Sequence, residues 1–430
     1  MLPGEPDDLR QPKQQRFPTE FSAGHAKLPR SKRQEGMVRS PPAFYIFLVF
    51  LRAIFLPSVS AHDHQEEVLS SAHVDEKERD ELRDRWGFDR HVKCLTHPEE
   101  RFDIGIIGAP FDTAVTYRPG ARFGPRAIRA ASSRQTSFRG FNTRASMNPY
   151  TSWATIIDCG DIPITPFDNA VALTQMSEAF LQLGSYLPAY AGGPHTLRDI
   201  GKDRKPKLIT LGGDHSVALP ALRALNKIYG HPIAVLHFDA HLDTWDPAAY
   251  SKSWRSQTSD FTHGSMFWIA SNEGLILNGS SVHAGLRTRI GGDGWDDYDD
   301  DDRQGFLRLS SDDIDEIGPN GIIEAILARI GTETPTYLSI DIDVIDPGLA
   351  PGTGTPEPGG WTTREMIRIL RGIEGLNVVG ADIVEVAPAY DNRGESTALA
   401  AAQLVYEVIT SMVKRELKPR VVKSSRKDEL

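Results

Sequence analysis

VLHFDAHLDTWD, residues 235–246, closes an apolar run on three ionisable side chains at alternate positions, Asp239, His241 and Asp243. Successive side chains of an extended segment point to opposite faces, so this spacing can aim two carboxylates and an imidazole into one cavity. The spacing recurs in LSIDIDVIDP, where Asp341 and Asp343 end a second run, and TLGGDHSVALP delivers His215 from a third. Gly212 and Gly213 leave the backbone free to turn sharply just before that histidine. A buried carboxylate costs several kcal/mol unless it is neutralised, so four of them on strand ends require cations. Six ligands are too many for one transition metal that must also admit a substrate, and they suit a pair of ions sharing carboxylates. Four negative charges balance two divalent ions, and oxygen-rich ligation without thiolate favours Mn2+, two per subunit, over a structural Zn2+ site.

Such a constellation must be held by rigid elements, and the chain supplies them. FDIGIIGAP, ATIIDCGD, KLITLGGDHS, IAVLHFDAH, SVHAGLRTR, TYLSIDIDV and LNVVGADIVEVAP read as strands, each a continuous apolar run, separated by helical stretches. That pattern indicates an α/β fold whose parallel sheet is covered on both faces, with a ligand site beyond the carboxyl ends of the strands. DDYDDDDR, residues 296–303, reads as a solvated loop, because blocks of like charge repel and stay hydrated. With 430 residues, 40% of them apolar, the chain can build one large domain or two smaller ones. A net charge of -10 argues against nucleic acid and suits a small cationic ligand.

In this order, GGDHS, DAHLD and SIDIDVIDP resemble the three metal motifs of the ureohydrolase family, the arginases and agmatinases. GAPFDTAVTYRPGARFGPRAIR, DFTHGSMFW and VEVAPAYD match further family segments, and the likeness runs from about Asp103 to Glu416. The resemblance implies a three-layer arginase-like α/β fold around an eight-stranded parallel sheet, with the ureohydrolase domain at 101–418. It implies that His215 binds one metal with Asp243, that His241 binds the other with Asp343, and that Asp239 and Asp341 bridge the two. Asp214 and Asp346 lie beside ligands and fit roles in orienting an imidazole or holding a loop. His263 in THGSMFW matches the family's non-ligand histidine and suits proton transfer near neutral pH. Glu385 in VEVAPAYD matches the acidic residue that holds the guanidinium, a planar, charge-assisted contact. A homo-oligomer, trimer or hexamer, is also implied.

The implied reaction is hydrolysis of a guanidino compound to urea and an amine. A guanidinium carbon is a poor electrophile because its charge is spread over three nitrogens, and paired divalent ions answer this by making water nucleophilic near neutral pH. Arginases follow DAHxD with an Asn-bearing segment for the amino acid's carboxylate and amino group. Here TWDPAAYSKSWRSQTSDFTHG stands instead, which resembles agmatinases and favours agmatine, giving putrescine and urea. Arg118, Arg122 or Arg255 could instead accept the carboxylate of a guanidino acid such as 4-guanidinobutyrate, making a guanidinobutyrase. A catalytically silent lumenal binding protein would keep the fold but tends to lose ligands, and all six matching positions are intact. A deacetylase of the same broad fold would show adjacent histidines, and the sequence has none.

The two ends of the chain read as addresses. Residues 1–42 are polar and basic without hydrophobic period, and 43–61 (AFYIFLVFLRAIFLPSVSA) read as a signal-peptide core with cleavage after Ala61. Translation from Met37 and an uncleaved anchor are the alternatives. Residues 62–100 read as a charged helical lead-in, and the 419–430 tail ends Lys427-Asp428-Glu429-Leu430, the tetrapeptide bound by the KDEL retrieval receptor. Together they place the protein in the endoplasmic reticulum lumen. Asn278 heads a glycosylation sequon there. Cys159 reads as a buried thiol, with a Cys94–Cys159 bridge as the alternative.

Overall fold

In a computed structural model, the described residues are 93–190, 197, 204–249 and 259–417. The signal segment, its cleavage site, most of the lead-in, Arg255 and the KDEL tail lie outside them. The part of the lead-in that is described, residues 93–100, forms turns and no helix.

Eight strands form one sheet: β1 Ile104–Gly108, β2 Ile156–Asp161, β3 Lys207–Leu211, β4 Ala234–Phe238, β5 Ser281–Leu286, β6 Phe306–Ser310, β7 Pro335–Asp341 and β8 Asn377–Val384. Their order is β2-β1-β3-β8-β7-β4-β5-β6, and every pairing is parallel. The helices among the described residues are α1 Gly124–Ser132, α2 Asn169–Gly184, α3 Ala218–Tyr229, α4 Met266–Asn272, α5 Asp296–Gln304, α6 Asp313–Glu316, α7 Gly318–Ile330, α8 Thr363–Gly372 and α9 Ser396–Glu416. Two apolar cores, one on each sheet face, make the three layers. Leu236 and Phe238 of β4 pack on one side with α1, α7, α8 and α9, while Val235 faces the other core with α2, α3 and α4. Because both faces are buried, alternating residues are equally apolar, and the strands read as continuous runs.

The strand that the apolar runs did not reveal is β6. It is an edge strand, partly exposed and broken by Arg308, and follows directly on the acidic run. That run is a correction to the sequence reading: residues 296–304 form α5, not a loop. Asp296, Asp297 and Asp299 occupy its first turn, where the partial positive charge of a helix N-terminus favours them. Asp301 is fully buried and bonded to Thr244, His283 and Arg308, so one member of the run is a core ion-pair residue.

Cys159 is not a free thiol. It is joined to Cys94 across a separation of 65 residues, tying the turns before β1 to strand β2. Loop-closure entropy assigns such a bridge about 4 kcal/mol, and Cys159→Ser is expected to lower the thermal midpoint by several degrees. Thermal unfolding of the two chains side by side checks this, and equal midpoints would refute it.

Candidate metal centre and active site

Four adjacent central strands, β3, β8, β7 and β4, deliver the site from their carboxyl ends. After β3 the chain passes through Gly213, where an added Cβ would meet the Phe111 carbonyl oxygen at 1.7 Å, so no larger residue fits. Asp214 follows and caps the short 3-10 turn His215–Val217 by accepting from the Ser216 N–H. Its second oxygen accepts from Ala114 N–H at 3.1 Å. Asp214 therefore holds the loop and makes no bond to an imidazole. Burial and the neighbouring Glu385 push its carboxyl up to about 7.

The three residues of the opening motif are not on a strand. β4 ends at Phe238, and Asp239, His241 and Asp243 project from the irregular segment beyond it. Asp243 has φ 56°, a left-handed conformation rare outside glycine, as does Glu385 at φ 61° after β8. Two site residues thus hold backbone conformations that cost on the order of 1–3 kcal/mol each, strain retained where the surrounding structure fixes it. Asp341 is the last residue of β7, and Asp343 sits in the 3-10 turn Ile342–Val344.

These turns assemble two groups. In the first, His215 Nδ1 lies 3.0 Å from both Asp239 Oδ2 and Asp243 Oδ2, and 3.3 Å from Asp341 Oδ2. In the second, His241 Nδ1 lies 3.2 Å from Asp239 Oδ1 and 3.1 Å from Asp343 Oδ2. Asp239 thus gives one oxygen to each group. His215 Nδ1 and Asp343 Oδ2 are buried and make no hydrogen bond. On the far side of its ring, His215 Nε2 lies 2.7 Å from Ser339 Oγ, which itself donates to Asp382 Oδ1 at 2.8 Å. Ser339 has given its own hydrogen to Asp382, so Nε2 carries one, and Nδ1 is the ring nitrogen turned to the cluster.

Electrostatics agree. Burial, then repulsion from Asp343 and Asp239, raises the Asp341 carboxyl well above the ordinary range. Burial and Asp239 push Asp343 up to about 6, against the pull of His241. Burial and Asp239 raise Asp243 too. The same carboxylates overcome burial and raise His215 and His241 well above the ordinary imidazole range, so without metal the excess negative charge is met by protons in the place that divalent cations would take.

Beside this cluster, a cavity of about 150 Å³ is lined by Thr116, His241, Asp243, Trp245, His263 and Asp341, among others. His263 Nδ1 lies 3.0 Å from Glu385 Oε1, and its Nε2 accepts from Thr116 N–H at 3.0 Å, with Thr116 Oγ1 at 2.8 Å. Burial opposes protonation of His263, but the hydrogen bond and charge of Glu385, with Asp243 and Asp214, outweigh it and push the imidazole up to about 9. Glu385 Oε1 also accepts from His215 N–H at 2.8 Å, so one carboxylate ties the general acid–base candidate to the metal loop. Asp346 stands apart. It accepts from the N–H groups of Gly348, Gly359 and Gly360 and fixes the loop after Asp343 without touching the cluster.

Sequence reasoning missed His237, Ser339, Asp382 and Trp245. His237 precedes Asp239 by two residues, the same alternation that singled out the ligands, yet it was passed over inside an apolar run. Its ring completes a group of four potential ligands with His215, Asp239 and Asp243, but Nε2 is bonded to Asp239 and Nδ1 contacts His283. It therefore supports a ligand and is not one itself.

Fold and cluster together define an α/β enzyme with a divalent-metal site. The chain matches the profile of the arginase family over residues 102–410. It is 47% identical over 333 residues to a Schizosaccharomyces pombe protein provisionally named agmatinase 3, spanning 76% of this chain and 79% of that one. It is 38% identical over 313 residues to the agmatinase of Chromobacterium violaceum, spanning 73% and 84%. Among solved structures, proclavaminate amidino hydrolase from Streptomyces clavuligerus superposes with a TM-score of 0.64 at 32% identity, covering 77% of this chain and 98% of that one. The chain belongs to the arginase family, the ureohydrolases.

Proposed function

We propose that this protein hydrolyses agmatine to putrescine and urea at a pair of Mn2+ ions. The observation that carries the metal pair is Asp239, whose two oxygens face two separate donor groups. His215 and Asp243 would hold the first ion and His241 and Asp343 the second, with Asp239 and, by family resemblance, Asp341 shared between them. Bound there, the ions supply Lewis acidity that makes water nucleophilic near neutral pH. Glu385, 1% exposed beside His263, holds the guanidinium and keeps it planar to the attacking face. His263 moves a proton from Nε2 to the departing amine: when protonated, Nε2 donates to the Thr116 hydroxyl, and once it has given up the proton it accepts from the Thr116 N–H.

The choice of agmatine over a guanidino acid rests on relatives named agmatinase and on the arginines. Arg122 is spent on the buried Asp112. Arg118 donates to the Gly354 carbonyl oxygen and lies over the Tyr390 ring at 4.5 Å. Urea release from agmatine, arginine and 4-guanidinobutyrate by the Mn2+-loaded mature chain tests the assignment. Preference for agmatine is expected. Preference for 4-guanidinobutyrate would overturn the substrate, and no urea despite two bound ions would favour a lumenal binding protein.

Residence in the endoplasmic reticulum lumen, with cleavage after Ala61 and capture by the KDEL receptor, is part of the same proposal. The Cys94–Cys159 bridge supports it, since such bonds persist in oxidising compartments. Deleting the last four residues is expected to release the protein into the medium, and a tagged chain found in the cytosol would refute the assignment. Assembly as a trimer or hexamer is proposed on family resemblance, and light scattering on the purified chain tests it.

A further inference from the structure

Behind the metal centre runs a row of buried polar groups that the reaction does not use. His237 Nε2 lies 2.8 Å from Asp239 Oδ2, His237 Nδ1 lies 2.7 Å from His283 Nδ1, and His283 Nε2 lies 3.0 Å from Asp301 Oδ1. All four residues are fully buried. The far end is anchored, because Asp301 also accepts from Thr244 Oγ1 at 2.9 Å and from Arg308 at 2.8 Å. Aromatic rings enclose the pair: Phe306 stacks on His283 at 3.9 Å, and Phe267 stands edge-on to His237 at 4.8 Å.

Both rings are engaged at both nitrogens. Ionised Asp239 and Asp301 can only accept, so both Nε2 atoms carry hydrogen. The two Nδ1 atoms meet within hydrogen-bond distance, at 2.7 Å. The two rings are thus linked to each other through Nδ1 and bracketed at Nε2 by a carboxylate at each end. With both nitrogens engaged, His237 can neither rotate nor change tautomer without breaking this row.

We propose that His283 is a positioning residue for the metal centre: acting through His237, it holds the Asp239 carboxylate so that each oxygen faces its own donor group. The inference rests on the metal pair proposed above. It gives a purpose to Asp301, the one buried member of the acidic run, which ties α5 and the edge strand β6 to the centre.

Two near-isosteric substitutions separate positioning from packing. Asparagine places its amide near the imidazole Nδ1 position and can still meet His237, whereas glutamine reaches the Nε2 position and meets only Asp301. Mn2+ binding to the full chain is followed by the electron paramagnetic resonance signal of the free ion, with apo-protein unfolding recorded in parallel. His283→Gln is expected to weaken Mn2+ binding about 10–100-fold, and His283→Asn to stay within about threefold of the parent. Unchanged binding in His283→Gln, or equal loss in both variants, would overturn the proposal. If neither variant folds, Asp301→Asn, which leaves both rings in place, is expected to weaken Mn2+ binding, and undiminished affinity would overturn it. A parent chain that binds fewer than two ions would instead sink the metal-pair reading, so the two failures are distinguishable.

Discussion

Asp239→Ala is expected to strip both metal positions at once and to abolish urea release, with a loss of at least about a thousandfold in kcat/KM. Removing a donor that serves one group, such as Asp243, leaves the other complete, but Asp239 is the residue whose Oδ2 lies with His215 and whose Oδ1 lies with His241. Alanine there also orphans the backbone N–H of His241, which donates to Asp239 Oδ1 at 2.6 Å, and the His237 Nε2–H at 2.8 Å. Each buried donor left without a partner costs about 1–3 kcal/mol, so the apo form is destabilised as well. Asp243→Ala makes the contrast. It removes one oxygen from the first group only, so one ion should remain. Metal analysis of the two purified variants checks the argument: two ions retained in Asp239→Ala would end the shared-carboxylate reading, and equal losses would remove the distinction between bridging and terminal donors. Chelation should act in the same direction, lowering the thermal midpoint of the parent, because uncompensated repulsion among Asp239, Asp341 and Asp343 returns when the cations leave.

The donor set was legible because its chemistry is compositional: carboxylates and imidazoles at the ends of apolar runs have few other uses. The way they converge was not. Alternation along a strand suggested that Asp239, His241 and Asp243 share a face, but β4 stops at Phe238 and the three converge from an irregular turn that needs a left-handed Asp243. No local pattern announces that conformation, because tertiary contacts impose it on a residue that disfavours it. The sheet was legible where both faces are buried and illegible at β6, where Arg308 interrupts the run at an exposed edge. Charge density misled at residues 296–303, since one aspartate of the run is buried by a partner, His283, eighteen residues earlier. Pairing of that kind, like the Cys94–Cys159 bridge, is a property of the fold and has no counterpart in local sequence.

His263→Asn is expected to lower kcat about 10²–10⁴-fold while both metal ions and the KM for agmatine stay close to the parent. The asparagine amide falls near the Nδ1 position, so it can keep the bond to Glu385 Oε1 that His263 makes at 3.0 Å. Glu385 then still accepts from His215 N–H at 2.8 Å, and the loop carrying His215 is undisturbed. What disappears is Nε2, the atom that faces Thr116 beside the cavity and has to exchange a proton with the departing amine. The pH profile gives an independent reading. The hydrogen bond and charge of Glu385, assisted by Asp243 and Asp214, overcome burial and hold His263 up to about 9. A raised value means that the protonated form prevails through neutral pH and is lost as pH rises past that point. If this cation donates to the leaving group, kcat/KM of the parent falls on the alkaline side near 9, and the His263→Asn profile lacks that limb. Added imidazole, small enough for the space vacated beyond the shorter side chain, should restore part of kcat in the variant. An unchanged kcat, or an alkaline limb that survives the substitution, would remove His263 from the proton path and leave solvent as the proton donor.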